Sequence, residues 1–342
     1  MTPLALVWNG TERRLRAPVR VVLAALVALL LTVGLGLALS TVAPLPAARV
    51  GGVLVSSTVT AVAVGLTCLV AAYALDRRRL RDYGLSPDPD WVVDLVAGVV
   101  LGLLLMAGIT VVSLAAGLAT VEGTFRAAGR LSFPAAFLVV TLAFVAVSVG
   151  EELALRGYLL TNLAEGLRGF GERPALALAT LGSAAVFGAL HATNPNATAV
   201  SVLGVGLGGV MLGLGYVLTG RLALPVGLHF SWNLAQGPIF GFPVSGLDLG
   251  VSVLVLDVSG PAQVTGGAFG PEAGLLGAAA IVVGTALIVG YARTRGRADR
   301  SAVVVPDLRW WSWDARDGAP DPRLAGVDDA PGSEPSRARS EE

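Results

Sequence analysis

Residues 147–160 read VSVGEELALRGYLL and set Glu151, Glu152 and Arg156 inside a run otherwise apolar enough for a membrane. A charged side chain at the centre of a spanning helix costs on the order of 2.5 to 3.5 kcal/mol, so three of them, unpaired and facing lipid, would cost about three times that. Spacing offsets part of the penalty. Glu152 and Arg156 are four apart and share a helical face, with the acid N-terminal to the base. Glu151 lies about 100° round the helix from Glu152. It is the worse placed acid for that bridge and the freer one for chemistry. A structural ion pair needs only one of the two acids, which leaves the other to be explained.

The rest of the chain supports a membrane setting. Of 342 residues, 54% are hydrophobic and only 14% charged, and the mean hydropathy is +0.73, too apolar for a soluble domain of this length. The fold class expected is all-α, a polytopic membrane helical bundle. Crossing about 30 Å of hydrocarbon takes roughly 20 apolar residues, and about eight transmembrane helices are expected, near 19–43, 50–75, 91–120, 133–162, 174–191, 198–219, 221–240 and 272–292. The first is preceded by Arg13, Arg14, Arg16 and Arg20, but its apolar core is longer than the roughly 7 to 15 residues of a cleaved signal, so it is read as a retained anchor.

All 24 basic residues are Arg, and no basic stripe points to nucleic acid. The single Cys68 allows no intrachain disulfide. With the N-terminus in the cytoplasm, Arg77, Arg78, Arg79, Arg81, Arg168, Arg173, Arg221, Arg293, Arg295 and Arg297 fall on the cytoplasmic side, and only Arg49, Arg126 and Arg130 on the other. This positive-inside asymmetry predicts a multi-pass protein of the cell membrane with both termini cytoplasmic. The expected organisation is a cytoplasmic N-terminus over 1–18, N-terminal transmembrane helices over 19–129, a core over 130–240, a loop over 241–271, a last helix over 272–292 and a disordered cytoplasmic tail over 293–342. The loop's VSVLVLDV could dip into the interface, and the tail is too polar to order itself, with Trp310, Trp311 and Trp313 as candidate interfacial anchors.

His191 and His229 are the only histidines, and both are expected within apolar helices. Intramembrane ionisable residues are functional candidates by default. Asn233 stands four after His229, so an imidazole and a carboxamide share a face and can both donate hydrogen bonds to an oxyanion. Phe187, four before His191, is expected to support that imidazole's rotamer. The Gly-rich VLGVGLGGVMLGLG of 202–215 lacks the Gly-Lys-Ser/Thr ending of a phosphate loop and is read as a close-packing helix face.

In order along the chain, EELALR (Glu151, Glu152, Arg156), FGALH (Phe187, His191) and HFSWN (His229, Asn233) resemble the three motifs of the CPBP family of intramembrane endopeptidases. That family includes the type II CAAX prenyl proteases and bacteriocin-processing relatives, and the resemblance covers roughly residues 130–240. It implies an enzyme that hydrolyses a peptide bond of a membrane-associated substrate, prenylated or leader peptide, in the bilayer. Glu151 would be the general base, His191 would share the water, His229 and Asn233 would form the oxyanion pocket, and Glu152 and Arg156 would support them, with no cofactor.

Two alternatives remain open at this point. Glu151, His191 and His229 could instead be ligands of a zinc ion, although no His-Glu-x-x-His helix is present. The same residue types also build proton relays in transporters, beside helices broken as Pro195, Pro225 and Pro238 would break them. One geometric tension is visible as well. At about 1.5 Å per residue, His229 lies roughly 12 Å from Arg221, whereas His191 lies roughly 27 Å from Arg173. For the two imidazoles to meet, either the hairpin around 160–180 projects well beyond the membrane or these helices tilt strongly.

Overall fold

The computed structural model describes residues 6–42 and 50–296. The segment from 297 onward, with Trp310, Trp311 and Trp313, lies outside the described residues. The chain opens with a small hairpin, β1 (Trp8–Asn9) and β2 (Arg14–Leu15), paired antiparallel. The helices follow in order: α1 (Ala17–Val42), α2 (Val50–Ala71), α3 (Pro89–Ala115), α4 (Phe133–Glu152), α5 (Thr161–Leu167), α6 (Glu172–Leu190), α7 (Ala199–Thr219), α8 (Ala223–Leu234), the single turn α9 (Ala262–Thr265) and α10 (Leu275–Thr294). Two longer strands, β3 (Ala119–Ala127) and β4 (Val251–Val258), form an antiparallel pair.

Seven helices among the described residues are long and apolar enough to cross a membrane: Ala17–Thr41, Leu54–Asp76, Pro89–Ala115, Phe133–Phe170, Glu172–Thr193, Ala199–Thr219 and Leu275–Thr294. The architecture is thus an all-α polytopic membrane bundle, as expected. The eighth expected span, 221–240, is shorter. Helix α8 has 12 residues and continues only through a π turn to Ile239. It is seated deep in the protein against α3, and glycines make the contact possible. A Cβ on Gly98 would overlap the carbonyl of Leu224, one on Gly102 the side chain of Ser231, and one on Gly227 the carbonyl of Leu95. Small residues spaced by four let helix backbones approach in this way. The pairing also shows that α3 and α8 run in the same direction.

Their following segments therefore emerge at the same end of the bundle, and there β3 and β4 meet. Alternate β-branched residues in VSVLVLDV suit a strand. The segment expected as a loop over 241–271 thus contains a strand, and the run expected as helix to residue 120 stops at Ala115, four residues short of β3. Helix α3 is capped by Asp88, whose carboxylate accepts the Trp91 N–H at 2.7 Å. That bond, together with Arg221, holds the Asp88 carboxyl below the usual range.

The depth tension resolves in one helical run. Residues Phe133–Phe170 are continuously helical for 38 residues, about 57 Å at 1.5 Å per residue and nearly twice the hydrocarbon thickness. Thr161 Oγ1 and Tyr216 Oη lie 3.0 Å apart, which sets the turn between α7 and α8 at the level of Thr161. The chain then continues past that level to Phe170 before α6 returns. The hairpin projects, and the extra length brings His191 back to the depth of His229.

The projecting end is held by charges. Glu165 accepts ion pairs from Arg14 (2.9 Å), Arg20 (2.8 Å) and Arg78 (2.8 Å). Arg20 also pairs with Asp76 at 2.6 Å, and Glu12 joins Arg14 to Arg168. The Tyr83 hydroxyl donates to Asp76, and burial pushes that hydroxyl well above its ordinary range, keeping it a donor. The segment expected as a plain N-terminal tail is therefore docked into the bundle.

Candidate active site

Glu151 and Glu152 end α4, where the backbone passes into a π-helical segment, Leu153–Leu160, before α5. Such i→i+5 turns inside α-helices occur frequently at functional sites. Arg156 keeps its expected partner: Nη1 lies 2.7 Å from Glu152 Oε1, and both side chains are fully buried. Arg156 Nη2 donates to the Gly209 carbonyl at 3.2 Å. That carbonyl belongs to the glycine-rich α7, where Gly209 lets α7 lie close against Ala184 and Phe187.

Glu152 has a second partner that spacing could not reveal. Its Oε1 lies 2.9 Å from His229 Nδ1. A carboxylate can only accept, so Nδ1 carries the proton and the other ring nitrogen, Nε2, is turned toward Glu151, whose Oε2 is 3.9 Å away. The second oxygen of Glu152, Oε2, has no hydrogen-bond partner among the described residues. Glu151 is the more accessible acid, with its side chain 32% exposed.

His191 stands where α6 ends and a short 3-10 turn, His191–Thr193, begins. It is thus at a helix end and not inside the helix. Its Nδ1 is 2.8 Å from the Phe187 carbonyl. Phe187 does more than hold one rotamer. Its ring packs edge-on against His191 (4.8 Å between centroids) and against His229 (5.9 Å), and the Arg156 guanidinium sits 4.5 Å from its centroid. One aromatic ring therefore touches a member of each of the three motifs, and a cation over its face is favourable there.

Glu151, His191, His229 and Asn233 all line one cavity of about 830 Å³. Its far wall comes from α1 and α2, with Ala24, Ala28, Ser57 and Thr60. Among the described residues no group of three or more His, Cys, Asp or Glu side chains is arranged to hold a metal ion. His229 spends Nδ1 on Glu152, which leaves only Nε2 to reach a ligand.

Glu272, which motif spacing does not single out, lines the same cavity from just before α10. It is buried, accepts hydrogen bonds from the Ser245 N–H (2.7 Å), the Ser245 hydroxyl (3.1 Å) and the Gln236 amide, and its carboxyl is pushed up by burial to about 7. A lone acid in PEAG carries no motif, and only its burial singles it out.

Residues 133–235 match the family described as Type II CAAX prenyl endopeptidase Rce1-like. No curated protein and no solved structure matches the chain significantly. The matched stretch begins at α4 and ends just after α8, so it contains all three charged or polar motifs and every contact that joins them. Over residues 133–235, therefore, the chain is similar to the Rce1-like type II CAAX prenyl endopeptidases.

Proposed function

We propose that the protein is an intramembrane endopeptidase in which Glu151 and His191 activate water and His229 with Asn233 receives the developing oxyanion. The observation that carries this reading is the gathering of the four side chains on one cavity, with Glu151 exposed to it and Glu152 tied off by Arg156 and His229. Glu151 takes a proton from water as the oxygen attacks the peptide carbonyl carbon, and the proton passes to the leaving amine by way of His191. His229 donates from Nε2 only if both ring nitrogens are protonated. A pair of such donors aimed at the oxyanion is worth about 3 to 4 kcal/mol per donor.

The substrate class we propose is a polypeptide held at the membrane by an apolar anchor, a prenylated C-terminus being the one the family's description names, with leader peptides as the second class. Orientation with both termini cytoplasmic rests on the arginine asymmetry, and the common exit side of α3 and α8 is compatible with it. Hydrolysis without a cofactor is part of the proposal, so activity should survive exhaustive treatment with a strong chelator. Loss of activity that zinc alone restores would replace the glutamate mechanism with a metal one. The decisive experiment compares peptide termini in membranes carrying the intact protein or Glu151→Gln. Substrates truncated only by the intact protein support the reading, and identical termini overturn it.

A further inference from the structure

We infer that Glu272 is a positioning residue for this site, an ionised carboxylate that fixes the helix carrying His229 and Asn233 relative to the turn carrying His191. The inference rests on the endopeptidase reading and adds to it a residue outside the matched stretch of 133–235.

Two arms leave the carboxylate. Through Oε2 it accepts from Gln236, which stands one turn beyond Trp232 on the π continuation of α8 and whose own oxygen accepts from Trp232 Nε1 at 2.8 Å. The same Gln236 amide donates to the Pro243 carbonyl. Its orientation is therefore set from both ends, and it can offer Glu272 only a donor. Through Oε1 the carboxylate accepts from Ser245 twice. The Ser245 carbonyl in turn accepts from Asn194 Nδ2 at 3.0 Å, and the Asn194 N–H bonds the His191 carbonyl at 3.1 Å. One carboxylate thus links both histidine-bearing segments.

The Ser245 N–H and the Gln236 amide N–H can only donate to Glu272 and the Ser245 hydroxyl can donate as well, a set that suits the ionised form. No opposite charge offsets its burial. Helices α7 and α9 and the first half of α10, which pack around it, carry no Asp, Glu, Arg or His, and the 241–249 turn adds only Asp248, which is engaged by Arg126. The other titratable groups on the shared cavity are Cys68, Glu151, Tyr158, His191 and His229. Because the folded value of about 7 lies above the ordinary 4.5, the ionised carboxylate costs stability above pH 7, and the cost is relieved as pH falls toward 4.5. An acid kept charged at that cost is the pattern of a functional group.

The test uses the full-length protein in detergent with isotope-labelled histidine, since the two imidazoles are assignable by single substitution. In Glu272→Gln both imidazole signals shift, thermal stability at pH 8 is unchanged or higher, and kcat falls about tenfold to a hundredfold with KM held, as a misplacement of about 1 Å costs. The acid limb of the cleavage profile near pH 7 is lost. Gln236→Ala, which removes one arm, shifts His229 and leaves His191. Unmoved imidazole signals in Glu272→Gln, or stability falling in step with activity in both variants, overturn the inference. The signals report position whether or not a peptide is cleaved, so a protein that cleaves nothing counts against the Glu151 reading alone.

Discussion

Two clusters of buried charge lie in the same bundle. At the projecting end, Glu165 is surrounded by the guanidinium groups of Arg14, Arg20 and Arg78, and Asp76 by Arg20, Tyr83 and Asn162. In the cavity, Glu152 has one oxygen shared by Arg156 and His229 and the other without a hydrogen bond, while Glu151 beside it faces open space. The first cluster is saturated: each acid has both oxygens engaged by cations or donors, and neither Glu165 nor Asp76 lines the cavity that holds Glu151. The second holds unused hydrogen-bonding capacity next to a cavity. Saturation is what holding a fold together requires, and spare capacity at an accessible surface is what a reaction requires.

Substitutions can break or sharpen that contrast. Glu151→Gln should lose cleavage by roughly 10⁴-fold, the upper end for a general base, with the melting temperature in detergent unchanged. His191→Ala should do the same. Glu165→Gln should cost about 3 to 5 kcal/mol in stability, because three buried guanidinium groups lose their shared partner, while kcat per folded molecule stays at the wild-type level. A large kcat loss there would erase the distinction between the clusters. Arg156→Ala should fall between, destabilising and also slowing cleavage, since it frees Glu152 from one of its two partners. Asn233→Ala should lower kcat by about 10² to 10³-fold without destabilisation, the loss of one oxyanion donor. The smallest effect belongs to the exposed pair Arg126–Asp248. Asp248→Asn should change stability by at most about 0.5 kcal/mol and leave cleavage alone, as solvent-exposed pairs do.

Much of this was legible in the sequence because membranes simplify it. The long apolar runs could only be spanning helices, and the spacing of Glu152 and Arg156 gave their bridge directly. Contacts between segments were not legible. Nothing local in HFSWN says that His229 meets Glu152, which is 77 positions away. The arginines of the N-terminal segment read as topology signals, yet Arg14 and Arg20 are buried ligands of Glu165, a pairing that exists only once three helices have packed. Hydropathy alone could not distinguish VSVLVLDV as strand, because an apolar run this short fits a strand or an interfacial helix equally. Glu272 was hidden for the opposite reason. Its segment is ordinary, and its importance comes entirely from the segments folded around it.

The β3–β4 pair has a consequence for biogenesis. One strand is synthesised before the helices that carry Glu151, His191 and His229 and the other after them, so the ribbon can pair only once the chain has been made as far as Val258. Glu272 and Ile281, which complete the cavity wall, are made later still, so the pocket takes its final form only after the ribbon has paired.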